Sequence, residues 1–228
     1  IVSPDNKRIP QDVIIAKEDI DGAQEGDYVR IEIIQQPTPR HSAMGQVIEV
    51  IGNELTPGME IDLSIHNHGI PYVWPDAVLA EADQYDVEIN PKDIDGRLDY
   101  RELPFVTIDG EDARDFDDAV YCEPSELGWN LYVAIADVAH YVKVDSALDI
   151  TAKDRGNSVY FPGRVVPMLP EVLSNELCSL KPEVDRLVMV VKVALDSAAN
   201  VTSYEFNNAV IRSHQRFTYT KVASLLKS

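Results

Sequence analysis

Positive charge is scarce in this 228-residue chain: 20 Lys and Arg stand against 39 Asp and Glu, a net charge of −19. Taken alone, that balance argues against a nucleic-acid partner. The distribution weakens the exclusion. Residues 1–100 hold 20 of the acids and only 7 of the bases, and six of the remaining acids sit in one short cluster. Cysteine is almost absent. Cys122 and Cys178, each beside apolar residues, exclude a disulfide scaffold and read as two unlinked buried thiols of a cytoplasmic protein. No run of about 18 apolar residues exists, so no membrane span is expected. Ile1-Val2-Ser3-Pro4-Asp5 is not a signal peptide. The chain has no initiator Met, and Leu225-Leu226-Lys227-Ser228 stops inside a helical pattern, which reads as a piece of a longer polypeptide. There is no Gly-rich phosphate loop and no internal repeat.

What is present is a chain of ordinary globular composition, 45% apolar and 26% charged. Its first part reads as β. Strand patterns run over Val13–Ala16, Tyr28–Ile34, Met44–Ile51 and Met59–Ile65. Gly26-Asp27, Pro37 to Pro39, Gly52-Asn53 and Pro57-Gly58 punctuate them. Short strands at this spacing predict an OB-type β-barrel over residues 1–70. Residues 71–103 read as a connector with helical potential near Pro75 to Gln84. From residue 104 to 228 both periods mix. Strands are predicted at Phe105–Ile108, Ala119–Cys122, Leu131–Ala136, Leu187–Leu195 and Ser203–Ile211. Asp145 can cap a helix ended by Gly156, Pro170 can open another, and Thr218 or Thr220 can cap the last. The fold class is α+β.

The densest chemical signal is Thr107-Ile108-Asp109-Gly110-Glu111-Asp112-Ala113-Arg114-Asp115-Phe116-Asp117-Asp118-Ala119-Val120. Six carboxylates fall between Asp109 and Asp118, with Arg114 the only base. Apolar strand patterns flank them, unlike a solvated acidic tail. Charges this close repel unless something positive is shared among them, and carboxylate oxygens are the preferred ligands of hard divalent cations. Asp109 would end a strand, and the returning loop would bring Asp115, Asp117 and Asp118 to face it. Adjacent strand residues point to opposite faces, so a bulge at Asp117-Asp118 is expected if both converge. Four carboxylates at one point suit a two-metal centre for phosphate chemistry. A surface acidic loop steadied by Arg114 and a structural Ca²⁺ loop are the alternatives on pattern alone. An EF-hand is disfavoured because its Gly and closing Glu are misplaced.

Residues 107–123 also resemble the catalytic signature of the ribonuclease II/ribonuclease R (RNB) exoribonuclease family, nearest its ribonuclease R branch. The resemblance continues through Val133–Ala139, Arg155–Pro162, Val166–Pro170 and Leu173–Leu180. Five blocks in the right order are more specific than any single motif. The resemblance implies a mixed α/β catalytic domain and a Mg²⁺-dependent, processive hydrolase. Such an enzyme takes the 3′ end of single-stranded RNA, as a monomer, and releases nucleoside 5′-monophosphates. Asp109, Asp115, Asp117 and Asp118 match the family's four acidic positions. Asp109 and Asp118 would be direct ligands, Asp115 would assist, and Asp117 would orient the attacking water or hold a second ion.

The same resemblance makes Tyr160 an aromatic that stacks on a base near the 3′ end, against a plainer reading as a core ring. Tyr219, in Arg216-Phe217-Thr218-Tyr219-Thr220-Lys221, matches a substrate-contacting segment, against a helix-packing role. Arg216 and its basic neighbours Arg212, His214 and Lys221 could meet phosphate, or be a solvated face. Residues 1–70 resemble the family's second cold-shock domain, although this stretch is acidic and poor in aromatics, with Tyr28 its main stacking candidate. The family's catalytic domain is longer than the part matched here. Its later helices, an Arg near the scissile phosphate and a C-terminal OB domain lie beyond the match, so this chain alone is expected to be weak or inactive. The alternative is a catalytically silent RNA-binding relative of the same fold.

Overall fold

The computed structural model describes residues 1–53 and 58–227; Pro57, read above as part of a turn, lies outside them. The chain divides into two compact units, Ile1–Pro71 and Tyr72–Ser228.

The first unit holds β1 (Ile14–Ile15), β2 (Asp27–Gln35), β3 (Met44–Asn53) and α1 (Met59–Asn67). β3 is central, parallel to β1 and antiparallel to β2. The β2–β3 register shifts at three places, the irregularities that bend a short sheet. Among the described residues this sheet has three strands and does not close into a barrel. Met59–Ile65, expected as a strand, is helical. Met59, Ile61, Leu63 and Ile65 alternate, but Met59/Leu63 and Ile61/Ile65 are also i,i+4 pairs, so the pattern serves both periods. Gly58, at φ 88°, turns the chain into the helix, and the helix buries Met59 and Ile65.

The second unit is built on a seven-stranded mixed sheet. In chain order its elements begin with α2 (Asp76–Ala82), β4 (Leu98–Asp99), β5 (Val106–Asp109), β6 (Asp118–Pro124) and β7 (Gly128–Ala136). They continue with α3 (Val138–Tyr141), α4 (Ala147–Arg155), β8 (Val159–Phe161) and β9 (Arg164–Val166). The last are β10 (Asp185–Asp196), β11 (Val201–Arg212), β12 (Gln215–Thr218) and α5 (Tyr219–Leu225). The sheet order is β12-β5-β6-β7-β10-β11-β4, with β8 and β9 as a separate hairpin. The residues read as a connector fold within this unit: Val78 of α2 is fully buried, and β4 pairs with β11.

The sheet's inner face carries Ala119, Tyr132, Ala134, Val188, Val190 and Ala209 against Phe105, Leu148, Leu173, Leu177 and Leu180. The outer face is apolar but open. Along it Phe206 stands opposite Val191, which stands opposite Val133, and Ile135 stands opposite Asp118.

Helix ends follow local chemistry. Ser146, not Asp145, caps α4, because its side chain accepts from the Asp149 amide while Asp145 sits at φ 64°. Gly156, at φ 76°, ends that helix as expected. Pro170 opens a helical segment whose Val172–Leu177 stretch is a π-helix. Thr218 caps α5 through the Lys221 amide.

Candidate metal centre

Asp109 is the last residue of β5 and Asp118 the first of β6, so the acidic loop is the β5–β6 connection. No bulge is needed at Asp117-Asp118. The β6–β7 register runs without a shift from Asp118↔Ile135 onward, and Asp117 precedes the strand, its carbonyl accepting from the Ala136 amide at 3.0 Å. Freedom in the loop, rather than a defect in the strand, lets the two side chains approach one region.

The electrostatics single out Asp117. More than a third of it is open to solvent, yet its carboxyl is pushed above the usual carboxylate range. Desolvation by the surrounding protein is the larger cause, followed by the charges of Asp115, Asp118 and Asp109. Asp115, Asp118 and Asp109 are thus the like charges that act on Asp117. Burial raises the Cys178 thiol to about 12, and the Asp117 charge adds to it, which places Cys178 near the same spot. Cys178 is buried as expected, whereas Cys122 is exposed on the outer face; both are free.

The loop is held from two sides. Ser179, fully buried, accepts from the Phe116 amide at 3.1 Å and donates to the Arg114 carbonyl at 2.7 Å. The Leu180 amide donates to the Phe116 carbonyl at 2.9 Å. Arg216 donates from Nη2 to the Gly110 carbonyl at 2.7 Å and to the Glu111 carbonyl, and its guanidinium lies over the Phe116 ring at 5.0 Å. Sequence reasoning missed Ser179. A lone hydroxyl inside Leu177-Cys178-Ser179-Leu180 was the available signal, since buried hydroxyls need partners.

Tyr160 is on β8, and its ring is 62% exposed, which removes the core reading. Its hydroxyl donates to Asp115. That bond is the main cause that raises the phenol to about 12, with burial and the Asp115 and Asp117 charges behind it. Tyr219 opens α5 and is 63% exposed, which removes the helix-packing reading. β12 runs parallel to β5 with Thr218 beside Asp109, so Tyr219 starts next to the acidic loop. Arg216 turns toward the loop backbone instead of standing on a solvated face. His140 pairs with Asp93 at 3.2 Å, and Arg97 bridges to Asp137 at 2.6 Å, a structural tie.

The candidate donors are four carboxylates, and that chemistry would fit a hard cation such as Mg²⁺. Among the described residues no three His, Cys, Asp or Glu side chains stand in coordinating geometry. The crowding on Asp117 is what a shared cation would relieve.

Comparison with known proteins points the same way. A family model described as an RNB domain matches residues 97–228, and one described as a cold shock domain matches residues 1–75. Ribonuclease R of Vibrio parahaemolyticus is 52% identical over 227 residues, covering 99% of this chain and 27% of that protein. The Escherichia coli ribonuclease R is 50% identical over 99% of this chain and 28% of its own length. The chain thus spans under a third of these relatives. Among solved structures, Mycoplasma genitalium RNase R in complex with double-stranded RNA aligns with a TM-score of 0.88 at 33% identity, covering 94% of this chain and 38% of that one. The same enzyme with ribose-methylated single-stranded RNA gives 0.86 at 33% identity, covering 94% and 34%.

Proposed function

This chain belongs to the RNB family, and from that premise we propose that it is the metal-binding part of a Mg²⁺-dependent, processive 3′→5′ exoribonuclease. Its substrate is the 3′ end of single-stranded RNA, and its products are nucleoside 5′-monophosphates. The observation that carries the reading is the crowding at Asp117, where Asp109, Asp115 and Asp118 all raise the same carboxyl. A shared positive charge would relieve such a quartet at neutral pH.

Asp109 and Asp118, at the facing ends of β5 and β6, would hold the cation, and Asp115 would assist. Asp117 would orient the attacking water and accept its proton, or hold a second ion. Bound Mg²⁺, in a pair by this reading, would supply the positive charge that a pentavalent phosphate needs and make water easier to deprotonate. Tyr160, exposed beside Asp115, offers its ring to a terminal base, a contact indifferent to base identity. Tyr219, the residue after the Thr218 that pairs with Asp109, would read the ribose 2′-hydroxyl. The first unit, which matches a cold shock domain, guides the strand, with Tyr28 as a stacking ring. Free thiols fit the cytoplasm, and the protein is read as a monomer.

Asp117→Asn tests the reading under single-turnover conditions with the chain in excess, because 228 residues alone are expected to be slow. RNA binding persists while hydrolysis falls by about 10²- to 10⁴-fold. A rate equal to the unsubstituted chain's removes the role given to Asp117. Tyr160→Ala is expected to change the length of the last undigested fragment more than the rate, read on a sequencing gel. An unchanged end product counts against stacking. A silent RNA-binding relative would have no use for four intact aspartates, and would show equal Mg²⁺ binding by the chain and by an Asp109→Asn, Asp118→Asn double variant.

A further inference from the structure

We propose that Arg216, seconded by Ser179, is a positioning residue that splints the backbone of the acidic loop carrying the candidate cation ligands. The inference rests on the reading of Asp109, Asp115, Asp117 and Asp118 as cation ligands. It changes what Arg216 is for: the residue acts on the protein's own backbone, not on the RNA.

The loop between β5 and β6 has a mechanical problem. Counted with Asp109 and Asp118 at its two ends, it holds six acids in ten residues, and their mutual repulsion favours splaying. Between Gly110 and Phe116 it has no strand partner to resist that force. Side chains from far along the sequence supply the resistance. Arg216 holds the first half, through the Gly110 and Glu111 carbonyls. Ser179 holds the second half, through the Phe116 amide and the Arg114 carbonyl. The two halves meet at Phe116. Its ring lies under the Arg216 guanidinium at 5.0 Å, while its backbone is fixed at both the amide and the carbonyl by Ser179 and Leu180.

The sheet explains why position 216 can do this. β12 lies parallel to β5 with Arg216 opposite Thr107, so the strand runs alongside the one that delivers Asp109. The side chain then has only a few residues' length to cover to reach the loop. Arginine suits the task because one planar group can donate to two carbonyls and stack on a ring, which an ammonium cannot do together. With Nη2 committed to those carbonyls, the guanidinium is poorly placed for a roving phosphate contact.

The test uses Mn²⁺ as the probe, titrated into the 228-residue chain and followed by electron paramagnetic resonance, with no RNA present. Arg216→Ala and Ser179→Ala are compared with the Asp109→Asn, Asp118→Asn double variant, and melting curves verify the fold of each. Groups that orient metal ligands typically cost 10- to 100-fold in metal affinity when removed. Arg216→Ala is therefore expected to weaken Mn²⁺ binding by about tenfold or more, Ser179→Ala by less, and Arg216→Lys is expected not to restore it. Affinity for a short single-stranded RNA in EDTA, and its salt dependence, should stay unchanged. If the aspartate variant loses Mn²⁺ while Arg216→Ala binds it normally, positioning is wrong. If Arg216→Ala instead weakens RNA binding and flattens its salt dependence, Arg216 is a phosphate contact and the inference is overturned. If the aspartate variant binds Mn²⁺ like the parent, the cation reading itself fails. Should Arg216→Ala not fold, the near-isosteric Ser179→Ala carries the same comparison.

Discussion

The two units of this chain solve the burial problem differently. Among the described residues of Ile1–Pro71, the buried apolar ones are Val13, Ala43, Val47, Met59 and Ile65, while Ile14, Ile33, Ile34, Ile48 and Val50 remain exposed. In Tyr72–Ser228, a continuous cluster runs from Phe105 through Tyr132, Leu173, Leu177 and Leu180 to Ile211. The acidic loop is anchored in that second, denser region, with Phe116 a member of the cluster and Ser179 set within it. The contrast teaches where geometric precision can be kept. Four carboxylates that repel each other stay together only on a support that does not yield, and close packing is that support. A surface that guides a flexible strand tolerates a lighter core.

The comparison can be broken by unequal truncations. The largest effect is expected from Phe105→Ala, which empties a fully buried site of the second unit. It should cost about 3–5 kcal/mol in urea unfolding and abolish hydrolysis under the same assay. Ile65→Val in the first unit removes one methyl from a buried site and should cost about 0.5–1.5 kcal/mol. A loss of hydrolysis equal to that of Phe105→Ala would show that the first unit is not the tolerant one.

The smallest effect sharpens the comparison at the loop itself. The folded state raises the Asp117 carboxyl, so ionising it works against folding. Whatever the protonated form contributes is present below the carboxylate's unfolded value of about 4 and is lost as pH rises through the raised folded value. Without metal, Asp117→Asn should therefore melt about 1–3 °C higher than the parent at pH 7 and no higher near pH 3. The effect is small because Asp117 is open to solvent and its neighbours are screened. A lower melting point at pH 7 would show that the four charges are not in conflict. The gain in stability alongside the expected loss of hydrolysis is the mark of a residue kept for chemistry.

Much of the second unit was legible because its signals are local. Alternating apolar runs predicted β5, β6, β7, β10 and β11 within a few residues, Thr218 and Gly156 stood where cap chemistry puts them, and the acids announced the loop. Other parts were written less plainly. Ser146 with Asp149 three residues on was a better cap signal than Asp145. Pro162-Gly163 marked the turn of the β8–β9 hairpin, which the sequence reading passed over. Met59–Ile65 satisfied two periods at once, and the neighbouring backbone chose the helix. β12 was invisible, because its partner β5 lies more than a hundred residues away and four residues carry no periodicity of their own.

Composition and spacing alone determined that six carboxylates fall between two strand patterns, a crowding that a hard cation would suit, with Asp109, Asp115, Asp117 and Asp118 as the candidate ligands. Charge density and flanking strands are properties of contiguous residues, and they survive any rearrangement of the rest. Tertiary structure decided which acids act on Asp117, that Tyr160 is exposed with its hydroxyl on Asp115, and that Tyr219 is exposed at the start of α5. It also decided that Arg216 turns inward to the loop. Those facts depend on β12 lying beside β5 and on Ser179 rising beneath Phe116. Such juxtapositions of distant segments are made by packing the core and are written in no single stretch of the chain.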